Sequence, residues 1–322
     1  MQPPVSASVV VASHGRPLRL RWLLNALEEQ TFAEPWELIV VHDYDAGLAA
    51  RIFERHPLSQ RGVLRAIAIA SGTGSPALQR NLGWRAARGE WIAFTDDDCR
   101  PETGWLDRLV ATARGRDGGV VVQGRTRPDA YEHDVTRGPH SRSIDVVPVG
   151  PFAQTCNILY PRALLARLEG FDERAIAGED VGLSLRARAG GATVVAAGDA
   201  IVNHAVLSYT LPGILRENLK WRHLAYLVRR HPELRPALTL RVFWDDEHAW
   251  TALALAGVLG ATRRRALLAL AAPYILRGLR RRGPEPRQRA IAALELPGQA
   301  IRQSAEVAGL LAGSVRHRTL VL

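Results

Sequence analysis

Trp91–Thr95 is a short apolar run that passes straight into three consecutive carboxylates, Asp96, Asp97 and Asp98. No other junction restricts the fold as much. An apolar run of this length reads as a strand, and acids immediately behind it put polar chemistry beyond the strand's carboxyl end, where open α/β sheets bind their ligands. Three adjacent carboxylates repel one another unless a cation neutralises them. A hard divalent ion such as Mg2+ or Mn2+, held by one or two carboxylates together with substrate phosphates, does so. The competing reading is a solvated acidic turn. The apolar strand in front, and Pro101-Glu102-Thr103-Gly104-Trp105-Leu106 behind, favour the metal site.

The rest of the first 210 residues repeats the same grammar. Ser8–Ala12, Leu38–Val41, Val63–Ala70, Gly119–Gln123 and Asn157–Tyr160 read as strands. Between them lie helical patterns: Pro17–Gln30 with Leu20, Leu23, Leu24 and Leu27 on one face, a helix from Ser75-Pro76 to about Arg88, and further helices at 103–113, 161–168 and 178–188. Ser75 before Pro76 is an N-cap followed by proline at the first helical position. This alternation predicts an α/β domain over about 1–210, with a mixed, mostly parallel sheet flanked by helices. Residues 124–152, rich in Arg, Asp, His, Pro and Gly, are expected to form a long loop. After Leu211 the pattern turns helical, with Pro212–Arg230, Ala249–Ala261 and Ala266–Leu276 as segments of a second region, 211–322.

Charge separates the same two regions. The net charge is +10, yet residues 1–210 carry 23 Arg against 24 Asp and Glu, whereas 211–322 carry 19 Lys and Arg against 8 Asp and Glu. The two apolar stretches of the second region fall short of the ~18–20 residues that span a bilayer. They read as core helices or as helices lying in a membrane interface. Arg263–Arg265, Arg277 and Arg280–Arg282 border them, which fits docking on an anionic membrane surface; the alternative is a solvated helical face packed on a neighbouring domain or subunit. Aromatic residues are not interleaved with the arginines as in a stacking platform, so a nucleic-acid partner is not expected. Two cysteines, Cys99 and Cys156, are too few for a disulfide framework and are read as buried apolar side chains. Met1–Pro4 leads almost directly into a strand, so a cytoplasmic protein, peripheral on the inner face of the membrane, is expected.

Several motifs recur in a fixed order: Val9-Val10-Val11-Ala12-Ser13-His14-Gly15-Arg16-Pro17, then Glu37-Leu38-Ile39-Val40-Val41-His42-Asp43, Gln79-Arg80-Asn81-Leu82-Gly83, Phe94 to Asp98 with Pro101 behind it, and Gly170-Phe171-Asp172-Glu173 leading to Gly178-Glu179-Asp180. Together, over about residues 5–230, they resemble the family 2 glycosyltransferases of the GT-A, Rossmann-like fold. The resemblance implies an inverting enzyme that moves a sugar from a nucleotide diphosphate, most often UDP, to a hydroxyl of a glycan or lipid-linked acceptor. It implies donor contacts from Ser13, Arg16, Asp43, Arg80, Asp96 and Asp97. It implies a metal at the outer carboxylates, Asp98 foremost and Asp96, and a general base at Asp180 with Glu179 beside it. At a helix start, Glu179 and Asp180 can equally be read as acids favoured by the helix dipole. His204, after Ile201-Val202-Asn203, either completes the metal shell or is a buried structural histidine.

Two departures from the family pattern stand out. His42 occupies a place where a second acid is common. Glu217-Asn218-Leu219-Lys220-Trp221 lacks the Gln and Arg of the processive synthases' Gln-x-x-Arg-Trp motif, which favours transfer of a single sugar. Two other classes compete. A nucleotidyltransferase wants a better phosphate loop than Ser13-His14-Gly15-Arg16-Pro17. A non-enzymatic basic module, binding membrane or nucleic acid, leaves the acidic clusters without a role.

Overall fold

Val9, Val10 and Val11 of the first apolar run are fully buried, with Val9 and Val11 entering one apolar cluster and Val10 the other. Successive strand side chains point to opposite faces, so a run that is apolar at every position belongs to a sheet covered on both sides. In the computed structural model, which describes residues 4–116, 119–132, 140–150 and 152–322, this strand lies inside a sheet that is eight-stranded among those residues.

The strands are β1 (Ala7–Ser13), β2 (Trp36–His42), β3 (Leu64–Ala68), β4 (Trp91–Asp96), β5 (Cys99–Pro101), β6 (Val121–Pro128), β8 (Ile158–Pro161) and β9 (Val194–His204); the two-residue β7 (Ser141–Arg142) lies outside this sheet. Their order is β3-β2-β1-β4-β8-β6-β9-β5. β1, β2, β3 and β4 pair in parallel, β8 runs antiparallel to β4 and β6, and β5 runs antiparallel to β9. From β1 the chain first builds outward through β2 and β3, then returns to place β4 on the other side of β1. The carboxyl ends of β1 and β4 therefore flank the point where strand order reverses, the crevice that ligands use in open α/β sheets. Ala12 stands opposite Asp96 there.

One face of the sheet is covered by α1 (Pro17–Glu28), through Leu20, Leu23, Leu24 and Leu27, and by α5 (Trp105–Ala113), through Trp105, Leu106, Leu109 and Val110. The other is covered by α4 (Pro76–Ala86), α6 (Arg162–Arg167) and α7 (Glu179–Ala189), through Ala77, Trp84, Leu164, Leu165 and Leu183. Ser75 caps α4 as its sequence predicts, accepting from the Leu78 amide at 3.2 Å. Two short helices that the periodicity does not reveal, α2 (Ala46–Phe53) and α3 (Pro57–Gln60), follow β2.

The expected loop over 124–152 begins later than the composition indicates. β6 continues to Pro128 because Arg125–Pro128 pair with Ile201–His204 of β9 after a register shift at Gly124. A Cβ at Gly124 would meet the Asn157 side chain and the Ala200 carbonyl within 2.5 Å, so only glycine lets the strand pass. Residues 133–139 and 151 of that stretch lie outside the described residues.

Two compact units result: Met1–Thr136 with Arg142–Leu207, and Ser208–Leu322 with Arg137–Ser141. The second is helical. The segment expected as one helix over Pro212–Arg230 is α8 (Leu211–Asn218), a 3-10 turn at Leu219–His223, and α9 (Leu224–Arg230). α10 (Asp246–Gly260) and α11 (Ala272–Arg280) follow, and α12 (Pro286–His317) closes the chain. Among the described residues, no helix is long and apolar enough to cross a membrane.

Candidate active site

The crevice between β1 and β4 is organised by arginines and acids that neutralise one another in pairs. Asp97 is fully buried. Its Oδ2 accepts from the Ser13 hydroxyl at 2.8 Å and from the His14 amide at 3.2 Å, and Arg16 Nη2 stands 2.9 Å from its Oδ1. Burial nevertheless outweighs Arg16 and pushes the Asp97 carboxyl up to about 7. Asp97 therefore anchors the loop after β1 from behind. The direct donor contact expected of it is not what the geometry offers, because no part of it faces the cleft. Ser13 also meets the Tyr44 hydroxyl at 2.8 Å, and Gln79 donates to the Ser13 carbonyl at 3.2 Å, so this loop is held from three sides.

Asp96, at the end of β4, keeps a partly exposed carboxylate. Its Oδ1 accepts from Arg80 Nη2 at 2.8 Å, and the other terminal nitrogen of Arg80 donates to Glu179 at 2.6 Å. Burial opposes ionisation of Asp96, but the Arg80 guanidinium beside it holds its carboxyl below the ordinary range. One buried arginine on α4 thus ties the acid triplet to the acid pair that opens α7. Asn81, the next residue, donates to the Phe171 carbonyl at 2.9 Å and to Glu173 at 2.8 Å, and accepts from the Phe171 amide. Gly170 has φ +74°, and a Cβ there would meet Asn81 Oδ1 at 2.3 Å. The Arg80-Asn81 and Gly170-Phe171-Asp172-Glu173 motifs are the two sides of a single joint.

Glu179 and Asp180 occupy the first turn of α7 behind the left-handed Gly178, where the helix dipole favours negative charge. Asp180 is partly exposed at the cleft. Burial of its carboxylate, reinforced by Glu179, pushes its carboxyl up to about 7.

Asp98 carries the third arrangement. It pairs with Arg16, and its Oδ1 lies 3.6 Å from His204 Nε2. His204 Nδ1 is 2.9 Å from the Ala205 carbonyl, to which it donates, and this leaves Nε2 turned towards Asp98, the orientation common among metal-ligating histidines. The Cys99 sulfur joins Asp98 and His204 in a group whose ligand atoms lie within 4.8 Å of one another. Burial pushes the Cys99 thiol well up, which keeps it protonated and a poor ligand. The Asp98 carboxylate is the donor type that hard divalent ions such as Mg2+ and Mn2+ take, whereas an imidazole is a donor that Mg2+ seldom uses. Asp96, also expected near the metal, stands outside this group, its carboxylate engaged by Arg80.

Asp43 is buried and lies 2.6 Å from His14 Nδ1, an exposed imidazole that caps it. His42 is a core residue, stacked on Tyr44 with ring centroids 5.5 Å apart. Sequence reasoning assigns no role to Tyr44 or to His14 as a cap, and it reads Cys99 as a buried apolar side chain, not as a neighbour of Asp98 and His204. Tyr44 and His14 stand next to residues it singles out, Asp43 and Ser13, and adjacency was the available signal.

The family model described as glycosyl transferase family 2 matches residues 8–167. A glycosyltransferase of Haloferax volcanii, AglE, is 27% identical over 203 residues, which cover 61% of this chain and 66% of that protein. The pre-mycofactocin glycosyltransferase of Mycobacterium tuberculosis is 27% identical over 216 residues, covering 64% of this chain and 45% of that one. The chain thus spans less than two thirds of the length of the curated relatives it matches. Among solved structures, the mannosyltransferase PcManGT of Pyrobaculum calidifontis, in complex with GDP-Man and Mn2+, superposes with a TM-score of 0.57 at 18% identity, covering 97% of this chain and 86% of its own. S. aureus TarS 1-349 in complex with UDP-GlcNAc gives 0.51 at 18% identity, covering 98% and 93%. Both share the GT-A fold of this chain.

Proposed function

Because residues 8–167 match the family model described as glycosyl transferase family 2, we propose that the chain transfers one sugar with inversion from a nucleotide-diphosphate donor, UDP-linked in our reading, to an acceptor hydroxyl. The observation that carries this reading is Arg80, which joins Asp96 and Glu179 and so sets the two acidic clusters in one cleft. The unit that ends at Leu207 is then the catalytic domain, and the basic helical unit faces an anionic membrane that presents the acceptor.

Ser13, Arg16 and Asp43 line the nucleotide side, with Asp43 freed for the base when His14 swings aside. Asp98 and His204 would hold the Mg2+ or Mn2+. When bound, such an ion neutralises charge building on the departing diphosphate. Arg16 is positioned to add to that neutralisation. Asp180 accepts the proton of the attacking hydroxyl as its oxygen bonds to the anomeric carbon and the bond from that carbon to the diphosphate oxygen breaks. A pKa near 7 suits a base that must be ionised yet proton-hungry at neutral pH. Glu179, locked by Arg80, fixes the first turn of α7 and so the place of Asp180.

Nucleotide sugars should be screened for metal-dependent binding and transfer. Asp98→Asn is expected to lose metal-dependent donor binding. Asp180→Asn is expected to keep donor binding and lose transfer. Equal transfer by wild type and Asp180→Asn would remove the base.

A further inference from the structure

The helical unit holds a cavity of about 610 Å3 that the proposed transfer does not use. Trp250 of α10, Tyr274, Leu276, Arg277 and Arg280 of α11, and the following Arg281 line it. That volume falls within the range of small-ligand sites, ~300–1,000 Å3. Its wall is fixed by a hydrogen-bonded chain: the Tyr274 hydroxyl donates to Gln303 Oε1 at 2.7 Å, and Gln303 Nε2 donates to Glu247 Oε2 at 2.5 Å. Gln303 is 4% exposed, so the chain is built into the fold. Glu247 also lines the cavity and its charge opposes an anion, but its Oε2 is engaged by Gln303.

Arg282 illustrates how an arginine in this region is normally satisfied: it is paired with Glu295 at 2.5 Å. Among the described residues Arg277, Arg280 and Arg281, the three guanidiniums at the cavity, form no ion pair. Three cations at one concavity, with a single engaged acid, select an anion that can accept several N–H donors, as a phosphate does. The apolar surroundings narrow the choice. Leu276 in the lining is 52% exposed, and Trp250 and Pro273 line the cavity with it. A soluble phosphate has no use for them, whereas an amphiphile covers them while its headgroup meets the arginines.

We propose that this cavity receives the phosphate of an anionic membrane lipid. The inference rests on the membrane-facing reading of the helical unit and assigns it a defined headgroup site, distinct from general attraction between a basic surface and an acidic bilayer.

The test compares full-length protein on vesicles of phosphatidylcholine alone and of phosphatidylcholine with about one third phosphatidylglycerol. One double variant, Arg277→Gln with Arg281→Gln, removes two charges from the cavity. Another, Arg263→Gln with Arg264→Gln, removes two charges of the same unit that do not line it. Wild type should prefer the phosphatidylglycerol vesicles, and the cavity variant should lose at least ~tenfold more affinity than the control variant, which a purely additive charge effect does not produce. Inorganic phosphate, added against a chloride control of equal ionic strength, should not displace the protein. Equal losses in the two variants would overturn the cavity site and leave the membrane reading standing. No preference for phosphatidylglycerol would overturn both, and displacement by inorganic phosphate would overturn the lipid as the source of the anion.

Discussion

Asp180 is the side chain on which the proposed transfer depends most. Its carboxyl sits near 7 because burial and the adjacent Glu179 both disfavour its charge. A general base works only when ionised, so kcat/KM should climb as pH rises through about 7 and level off above it. Asp180→Asn should abolish that limb and slow transfer by ~10²–10⁴-fold. Initial rates at low donor concentration across the pH range decide the matter; a limb that survives in the variant assigns the titration to another group. Part of this site was legible beforehand. Acids that directly follow an apolar run, and acids at a helix start, are local patterns. The link between them was not, because Arg80 and Glu179 are 99 positions apart and meet only when α4 and α7 cover the same sheet face. Nor does the triplet announce that its members differ. Read as a string, Asp96, Asp97 and Asp98 are equivalent. Once they leave the sheet, Asp97 turns into the protein against Ser13, while Asp96 keeps some exposure.

Elements were legible in proportion to how much of their character is local. β1, β2 and β4 are short apolar runs whose burial follows from composition alone. α12 is the opposite case. It carries Pro297 within it, and Leu294, Leu311 and Val315 are exposed while Val307 and Leu310 are buried, so no clean stripe marks its 32 residues. What fixes α12 is close approach. Gly309 and Gly313 stand one turn apart, and a Cβ at Gly313 would lie 2.1 Å from the Arg222 carbonyl oxygen, a backbone atom that cannot rotate away. Alanine is the better helix former by ~1 kcal/mol, yet overpacking against a fixed backbone costs about 1–3 kcal/mol. Gly313→Ala should therefore lower the denaturant midpoint. Gly298→Ala in the same helix meets only His140 at 3.7 Å and should leave the midpoint level or raise it. The pair separates backbone contact from helix propensity; a Gly313→Ala protein as stable as wild type would refute the close approach.

Across the whole molecule, the division into a charge-balanced sheet unit and a strongly basic helical unit could be read from residue counts, because it depends on sums and not on contacts. How the helical unit is internally held could not. Its cation-rich composition hides one buried ion cluster: His248 lies 2.8 Å from Asp245 and 3.6 Å from Glu306, which also binds Arg302 at 2.9 Å. Burial works against the charged imidazole, but Asp245 and Glu306 prevail and push His248 up to about 9. The composition makes this one group unusually visible. Lys220 is the sole lysine among 42 Lys and Arg residues, and arginine stays charged throughout, so almost none of the Lys and Arg charge is lost between pH 7 and 9. Burial lowers the affinity of His42, His56, His223 and His317 for protons, so the folded state binds fewer of them than the unfolded chain, and their effect is confined to a loss of stability as pH falls below about 6.5. His248 has the opposite sign. Its folded pKa exceeds the unfolded value, so its contribution, on the order of 2 kcal/mol, is complete below about 6.5 and disappears as pH rises through about 9. In His248→Gln this contribution should be absent at every pH, so the gap between the two unfolding midpoints, widest below about 6.5, should close by about pH 9.5. A gap between wild type and variant that stays constant from pH 6 to 9 would show instead that His248 acts by packing against Trp221, whose ring lies 4.9 Å away, and not by its charge.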